Sequence, residues 1–272
     1  MTQMEEQLER LAEHKPTPDS KNTADGILRI AMDIAEGILI NGGEIRRVEL
    51  ALETVCRAYG ASHVEVFCIH SLLLASLRMP DQSYSSQTRR VKNVSTHLSR
   101  LEQYNSLSRQ ICRDVPPIPE VDRLIREIKA KKPYPRLLTL LGYMLASGGF
   151  AVFFGGSLRD GLAGALVGMG IFFLDQIPFD IANNLVKTLL LSLCGGLLSH
   201  LSVMIGLGQN VDMIIIGSIM LLIPGLSFGN AMRDLFGGDL LSGSLKIVQA
   251  CMIAVMIAIG YAISILLLGG AL

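Results

Sequence analysis

Arg233, Asp234 and Asp239 are the side chains whose types and spacing most invite chemistry. They follow Pro224-Gly225 and lie between two almost wholly apolar stretches, 213–223 and 247–268, with Asn230 and Ser242 beside them. Proline removes a backbone donor and clashes with the preceding helical turn, and glycine lets the chain leave the helix cheaply. A break of this kind frees backbone groups, which at membrane depth must face protein or water. One reading is a broken helix along a polar substrate pathway made of Pro224, Gly225, Asn230, Arg233, Asp234, Asp239 and Ser242. Arg233 would then pair with Asp234 or Asp239 at rest. The plainer reading is a polar loop between two spans, with Arg233 marking the cytoplasmic side. A fainter echo occurs earlier, where Asp175 precedes Ile177-Pro-Phe-Asp-Ile-Ala-Asn-Asn184. Asp175, Asp180 and Asn183 would line the same mouth from a second loop.

The first half of the chain offers Asp33, Glu36, Glu44, Arg46, Arg47, Glu49, His63, His70 and His97. His63 and His70 are an odd number of positions apart, so an unbroken strand puts them on opposite faces and they form no metal pair. Glu49 and Glu53 are one helical turn apart, which a solvated polar face explains equally well. No G-x-x-x-x-G-K-[ST] motif occurs, so no P-loop ATPase is expected. The five cysteines include no C-x-x-C pair and read as buried thiols in a reducing compartment. No catalytic residue, metal site or cofactor is expected. A membrane-anchored enzyme with a catalytic cytoplasmic domain is the alternative to a transporter. It would need a nucleophile–base or metal constellation that these residues do not supply.

The elements that must position these groups follow from the unequal charge distribution. Residues 1–136 hold 20 of the 24 Lys/Arg and 18 of the 24 Asp/Glu, so the remaining half is nearly uncharged. The reading is a multi-pass α-helical membrane protein with an N-terminal α+β cytoplasmic domain. A polar tail covers 1–23, without the apolar core of a signal peptide. The α+β domain covers 24–132 and the transmembrane domain 133–272. Within the α+β domain, helices are expected over 24–40, 44–59, 98–112 and 121–130. Strands are expected over 63–70, 72–78 and 88–94. Asn41-Gly42-Gly43 should stop the first helix. About five spans are expected at 137–154, 161–179, 185–208, 213–228 and 247–268, the second and fourth short and interrupted, a mark of transporter sites. With the N-terminal domain inside, Lys187, Arg233 and Lys246 also fall inside, which places Leu272 outside. The small residues of 161–170 suit close helix packing, within the chain or against another helix. No basic patch with interleaved aromatics appears, so no nucleic-acid partner is expected.

Several ordered motifs carry a resemblance. Asn41-Gly-Gly-Glu-Ile-Arg-Arg-Val-Glu49, Tyr104-Asn-Ser-Leu-Ser-Arg109, Phe153-Phe-Gly-Gly-Ser-Leu-Arg-Asp160 and the proline–glycine to aspartate stretch resemble the motifs of the bacterial threonine/serine exporter family. The resemblance runs from about residue 24 to the end. It implies an exporter in the bacterial inner membrane, and functional weight at Asn41, Gly42, Gly43, Glu44, Arg47, Glu49, Asn105 and Arg109. Members join such a module to a second membrane module. This chain therefore resembles the larger subunit of a split, succinate-exporter-like form. The expected partners are a smaller second membrane subunit, or further copies of the chain, together with the lipid bilayer and a small carboxylate-bearing substrate. The resemblance does not choose between threonine or serine and a dicarboxylate such as succinate.

Overall fold

The computed structural model describes residues 24–92, 95–131, 134–177 and 184–268. By contacts the chain divides into two compact units. The first comprises Met1–Lys132 and Leu226–Ile247; the second comprises Pro133–Gly225 and Val248–Leu272.

The first unit is built around α1 (Ala24–Ile40). Ile27, Ile30, Ile34 and Ile38 recur at the helical period, and all are fully buried. Leu28, Met32 and Leu39 are buried too, so the helix is covered on more than one face. Each such side chain contributes about 1.5–3 kcal/mol on leaving water. Around α1 pack α2 (Ile45–Ala58), α3 (Leu98–Asp114), α4 (Ile118–Ala130) and strands β2 (Leu72–Arg78) and β3 (Tyr84–Arg90). With β1 (His63–Ile69) these strands form an antiparallel sheet in the order β1-β2-β3. His63 lies opposite Arg78, and Leu72 opposite both Ile69 and Arg90. Val64, Val66 and Cys68 face the core, as their alternation requires, while Phe67 is exposed.

The third strand begins earlier than the expected 88–94. Tyr-Ser-Ser-Gln-Thr-Arg-Arg carries little apolar pattern, and its limits are set by pairing with β2, where Tyr84 meets Arg78. Long-range ion pairs close the unit. Arg29 on α1 donates twice to Asp122 on α4, both at 2.8 Å. Arg89 on β3 reaches Asp33 at 2.5 Å and Glu36 at 2.8 Å on α1. The Tyr59 hydroxyl donates to the Pro116 carbonyl.

The second unit contains α5 (Arg136–Phe153), α6 (Leu158–Asp175), α7 (Asn184–Met204), α8 (Val211–Leu222) and the later part of α10 (Leu240–Leu268). Glycine permits its closest approaches. A Cβ on Gly168 would collide with the Tyr143 carbonyl and the Ser147 side chain, and one on Gly148 with the Gly161 carbonyl. The small-residue face of 161–170 is thus occupied by α5 of the same chain. Polar groups are satisfied within their own helix or by a neighbouring one, Ser147 Oγ excepted among the described residues. Ser199 donates to Gly195 O at 2.8 Å, and the Ser218 and Tyr261 hydroxyls pair at 2.8 Å. Asp160 caps its own helix through Ser157 and accepts from the amides of Gln209 and Asn210 at 2.6 and 2.8 Å.

Among the described residues, three helices are long and apolar enough to cross a membrane: Arg136–Phe153, Asn184–Met204 and Leu240–Leu268. Val211–Leu222 with Gly225–Phe236 makes a fourth if that interrupted pair is one span. The interruption falls at Ile223-Pro224, where proline and glycine require it. The helix expected as the second span forms as α6 but carries Arg159, Asp160 and Asp175 in its 18 residues. Those charges keep it outside the three.

Candidate functional site

The site is assembled on the elbow between α1 and α2. Gly42 has φ +91°, a conformation that disfavours any L side chain, and a Cβ on Gly43 would overlap Ile38. The amides of Gly42 and Gly43 donate back to Leu39 O (3.1 Å) and Ile38 O (2.9 Å), closing the end of α1. Asn41 adds a side-chain bond to Gly37 O at 2.6 Å and accepts the His97 amide at 3.3 Å. The Asn41-Gly42-Gly43 sequence is therefore explained by a tight reversal that exposes the Gly42 carbonyl and the first amides of α2.

Those groups are taken by α9 (Gly225–Phe236), 188 or 189 residues away in sequence. Asn230 Nδ2 donates to Gly42 O at 2.9 Å. The Ile45 amide donates to Asp234 Oδ1 at 3.1 Å. Arg233 Nη1 donates to Glu44 Oε1 at 2.7 Å. Glu44 occupies the N-cap position of α2 but makes no capping bond with its side chain, so Asp234 supplies the cap from a distant element. A carboxylate there also meets the positive end of the helix dipole. Asp234 is 4% exposed, and its other oxygen accepts from Lys246 Nζ at 2.6 Å. A buried carboxylate needs such a cation and hydrogen bonds to offset its lost hydration.

Further groups surround this pair. Glu49 accepts the Cys68 amide at 3.0 Å, so it is drawn in from the solvated face expected for it. Burial pushes the Glu49 carboxyl up, with the Asp239 charge adding to the effect. Burial also pushes the Cys68 thiol up to about 12, so it is an inert thiol. His70 is held below its ordinary value by burial and then by the Lys246 charge. Among the described residues, His70 Nδ1 and Ser242 Oγ are buried without a hydrogen-bond partner. Asp239 caps α10 through the Ser242 amide at 3.2 Å.

Several sequence expectations change here. Arg233 pairs with neither Asp234 nor Asp239. Neighbouring helical residues diverge by roughly 100°, so Asp234 turns inward to Lys246 while Arg233 stays 68% exposed beside Glu44. Arg47 is an exposed neighbour of Glu44 at 3.8 Å. Asn105 is half-buried and Arg109 exposed on α3, and among the described residues neither bonds to the elbow. Pro224 and Gly225 form the helix interruption itself. Asp175 belongs to the second unit, where Lys187 Nζ meets it at 2.6 Å and the Tyr143 hydroxyl at 3.2 Å. Asp180 and Asn183 lie outside the described residues. Lys246 is the residue that sequence reasoning missed. Its signal was a lone cation opening an otherwise apolar helix, a costly placement unless it is paired.

Among the described residues there is no group of three His, Cys, Asp or Glu that could hold a metal. The arrangement is an electrostatic clamp, in which two segments that bracket most of the sequence hold each other through a helix terminus, a side-chain bond to a carbonyl and one exposed ion pair, while Lys246 anchors Asp234 from within its own segment.

A family model described as "Putative threonine/serine exporter" matches residues 29–268, and the chain belongs to that family. No curated protein and no solved structure matches it.

Proposed function

We propose that this member of the threonine/serine exporter family is a subunit of a secondary exporter that moves small carboxylate-bearing metabolites out of the cytoplasm. Threonine and serine are the leading substrates, and a dicarboxylate such as succinate is the alternative. The observation that carries the reading is the clamp, in which Asn230, Arg233 and Asp234 hold Gly42, Ile45 and Glu44. The clamping segment is continuous in sequence with apolar helices on both sides, so releasing or tightening it is a direct way for the first unit to act on membrane segments. Arg233 is the exposed member, and its guanidinium can exchange the Glu44 carboxylate for that of a substrate.

The Lys/Arg distribution supports an N-terminal unit inside the bacterial inner membrane and a C-terminus outside. Family members with two membrane modules support a smaller second subunit as the partner, with self-association as the competing arrangement. The small-residue face of 161–170 lends the partner no support, because α5 fills it.

Efflux of labelled threonine, serine and succinate from proteoliposomes, with and without a co-expressed second membrane protein, tests the proposal. Export of a hydroxy amino acid that needs the second protein is expected. Export of none of the three under any condition overturns it. Full export by this chain alone removes the partner but leaves the transporter.

A further inference from the structure

A cavity of about 260 Å³ opens in the first unit between α1, α3 and the end of α4. It has room for about nine waters at ~30 Å³ each, or for one small metabolite with part of its hydration. Its lining carries both signs of charge. Asp33 and Glu36 stand on α1, whereas Arg100 belongs to α3 and Lys129 to α4.

On the acidic side, Arg89 is shared between Asp33 and Glu36. Glu36 offers Oε2 to Arg89, and its second oxygen has no partner among the described residues. On the opposite side, Arg100 spends only Nη2, on the carbonyls of Lys129 and Lys131 at 3.5 and 3.0 Å. Its remaining N–H groups have no hydrogen-bond partner among the described residues.

Tyr104 supplies a separate indication. It is 2% exposed and lines the cavity, yet its hydroxyl has no hydrogen-bond partner among the described residues. The ring lies so close over Gly37 that any Cβ there would overlap it. The hydroxyl is a donor open to a polar occupant of the cavity. Burial pushes the phenol up, so it stays a protonated donor at neutral pH.

We propose that this cavity binds a small α-amino acid as its zwitterion. The ammonium group meets the free side of Glu36 and Asp33, and the carboxylate meets Arg100 and the Tyr104 hydroxyl. A dicarboxylate fits less well, because it would bring a second negative charge against Glu36. The choice of threonine and serine as ligands rests on the exporter reading; the site itself does not. Asn41 lines the same cavity and directly precedes Gly42, the residue held by Asn230. Occupancy is thereby placed next to the clamp.

The test is calorimetric titration of the full-length chain in nanodiscs with L-threonine, L-serine, L-lactate and succinate. Tyr104→Phe, Glu36→Gln and Arg100→Gln are titrated in parallel, and thermal unfolding verifies that each variant is folded. Threonine or serine should bind, lactate should bind at least about tenfold more weakly for lack of the ammonium, and each substitution should weaken binding by about tenfold. Amino-acid binding that survives all three substitutions, or succinate binding in preference to both amino acids, overturns the site. Efflux from proteoliposomes that hold the same variants separates the two readings. Efflux without substitution-sensitive binding keeps the exporter and removes this site, whereas substitution-sensitive binding without efflux does the reverse.

Discussion

The two units satisfy their polar groups in opposite ways. In the first, charged side chains reach across the sequence: Arg29 to Asp122, Arg89 to Asp33 and Glu36, Arg233 to Glu44, and Lys246 and Ile45 to Asp234. In the second, most buried polar groups are serines bonded to carbonyls of their own helix, and specificity comes from glycines that admit a neighbouring backbone. Charges make a few direction-dependent contacts that can exchange partners. Close-packed glycine faces make many small contacts with no alternative arrangement. The contrast leaves directional, charged contacts in the first unit and close backbone packing in the second.

The largest effect should come from breaking the buried pair. Asp234→Ala or Lys246→Met leaves an uncompensated buried charge, at a cost of about 3–5 kcal/mol. The double variant Asp234→Leu/Lys246→Met should recover much of that loss, read as the denaturation midpoint of the chain in nanodiscs. Additive losses in the double variant would mean that the two groups are not energetically coupled.

In the second unit, Gly168→Leu forces a side chain into the Tyr143 carbonyl and should cost about 1–3 kcal/mol. Gly142→Ala, on the neighbouring α5 with open space where its Cβ would stand, should be neutral or stabilising by up to about 1 kcal/mol. Equal effects at the two glycines would contradict the packing account.

A smaller effect is pH-dependent. His70 has its folded value held below the unfolded 6.5 by burial and the Lys246 charge. The folded state therefore resists protonation. This contribution to stability is fully present above about pH 6.5 and is lost as pH falls from there toward the folded value. The thermal midpoint should drop between pH 7 and 5.5, and His70→Gln should flatten that slope. An unchanged slope in the variant would assign the acid sensitivity to other groups.

The smallest effect on stability is expected at Arg233. It is an exposed pair member, so Arg233→Lys should shift stability by less than about 1 kcal/mol. The loss of the planar fork should nevertheless reduce export at normal abundance. Normal export by that variant would remove Arg233 from the transport cycle and leave it a surface contact.

Much was legible in the sequence because it is governed by near neighbours. The isoleucine period of α1 corresponds to the observed helix, Ala24–Ile40. The Asn41-Gly42-Gly43 stop, the alternation of β1 and the interruption at Pro224 all follow from local backbone preference and side-chain period. Tyr84–Arg90 was misplaced because its partner strand, not its own composition, sets its limits.

Local pattern set the first helix and its stop, which half is nearly uncharged, and which polar residues stand beside a break, whereas the last helix begins at Leu240 rather than at the expected 247. Only the tertiary structure decided which carboxylate meets which cation. Adjacent Arg233 and Asp234 look equivalent along the chain, yet one lies at an exposed surface and the other caps a helix begun 189 residues earlier. Helical period specifies a face relative to the residue's own axis. It carries no information about what another segment brings to that face, and a buried ion pair is decided by that meeting.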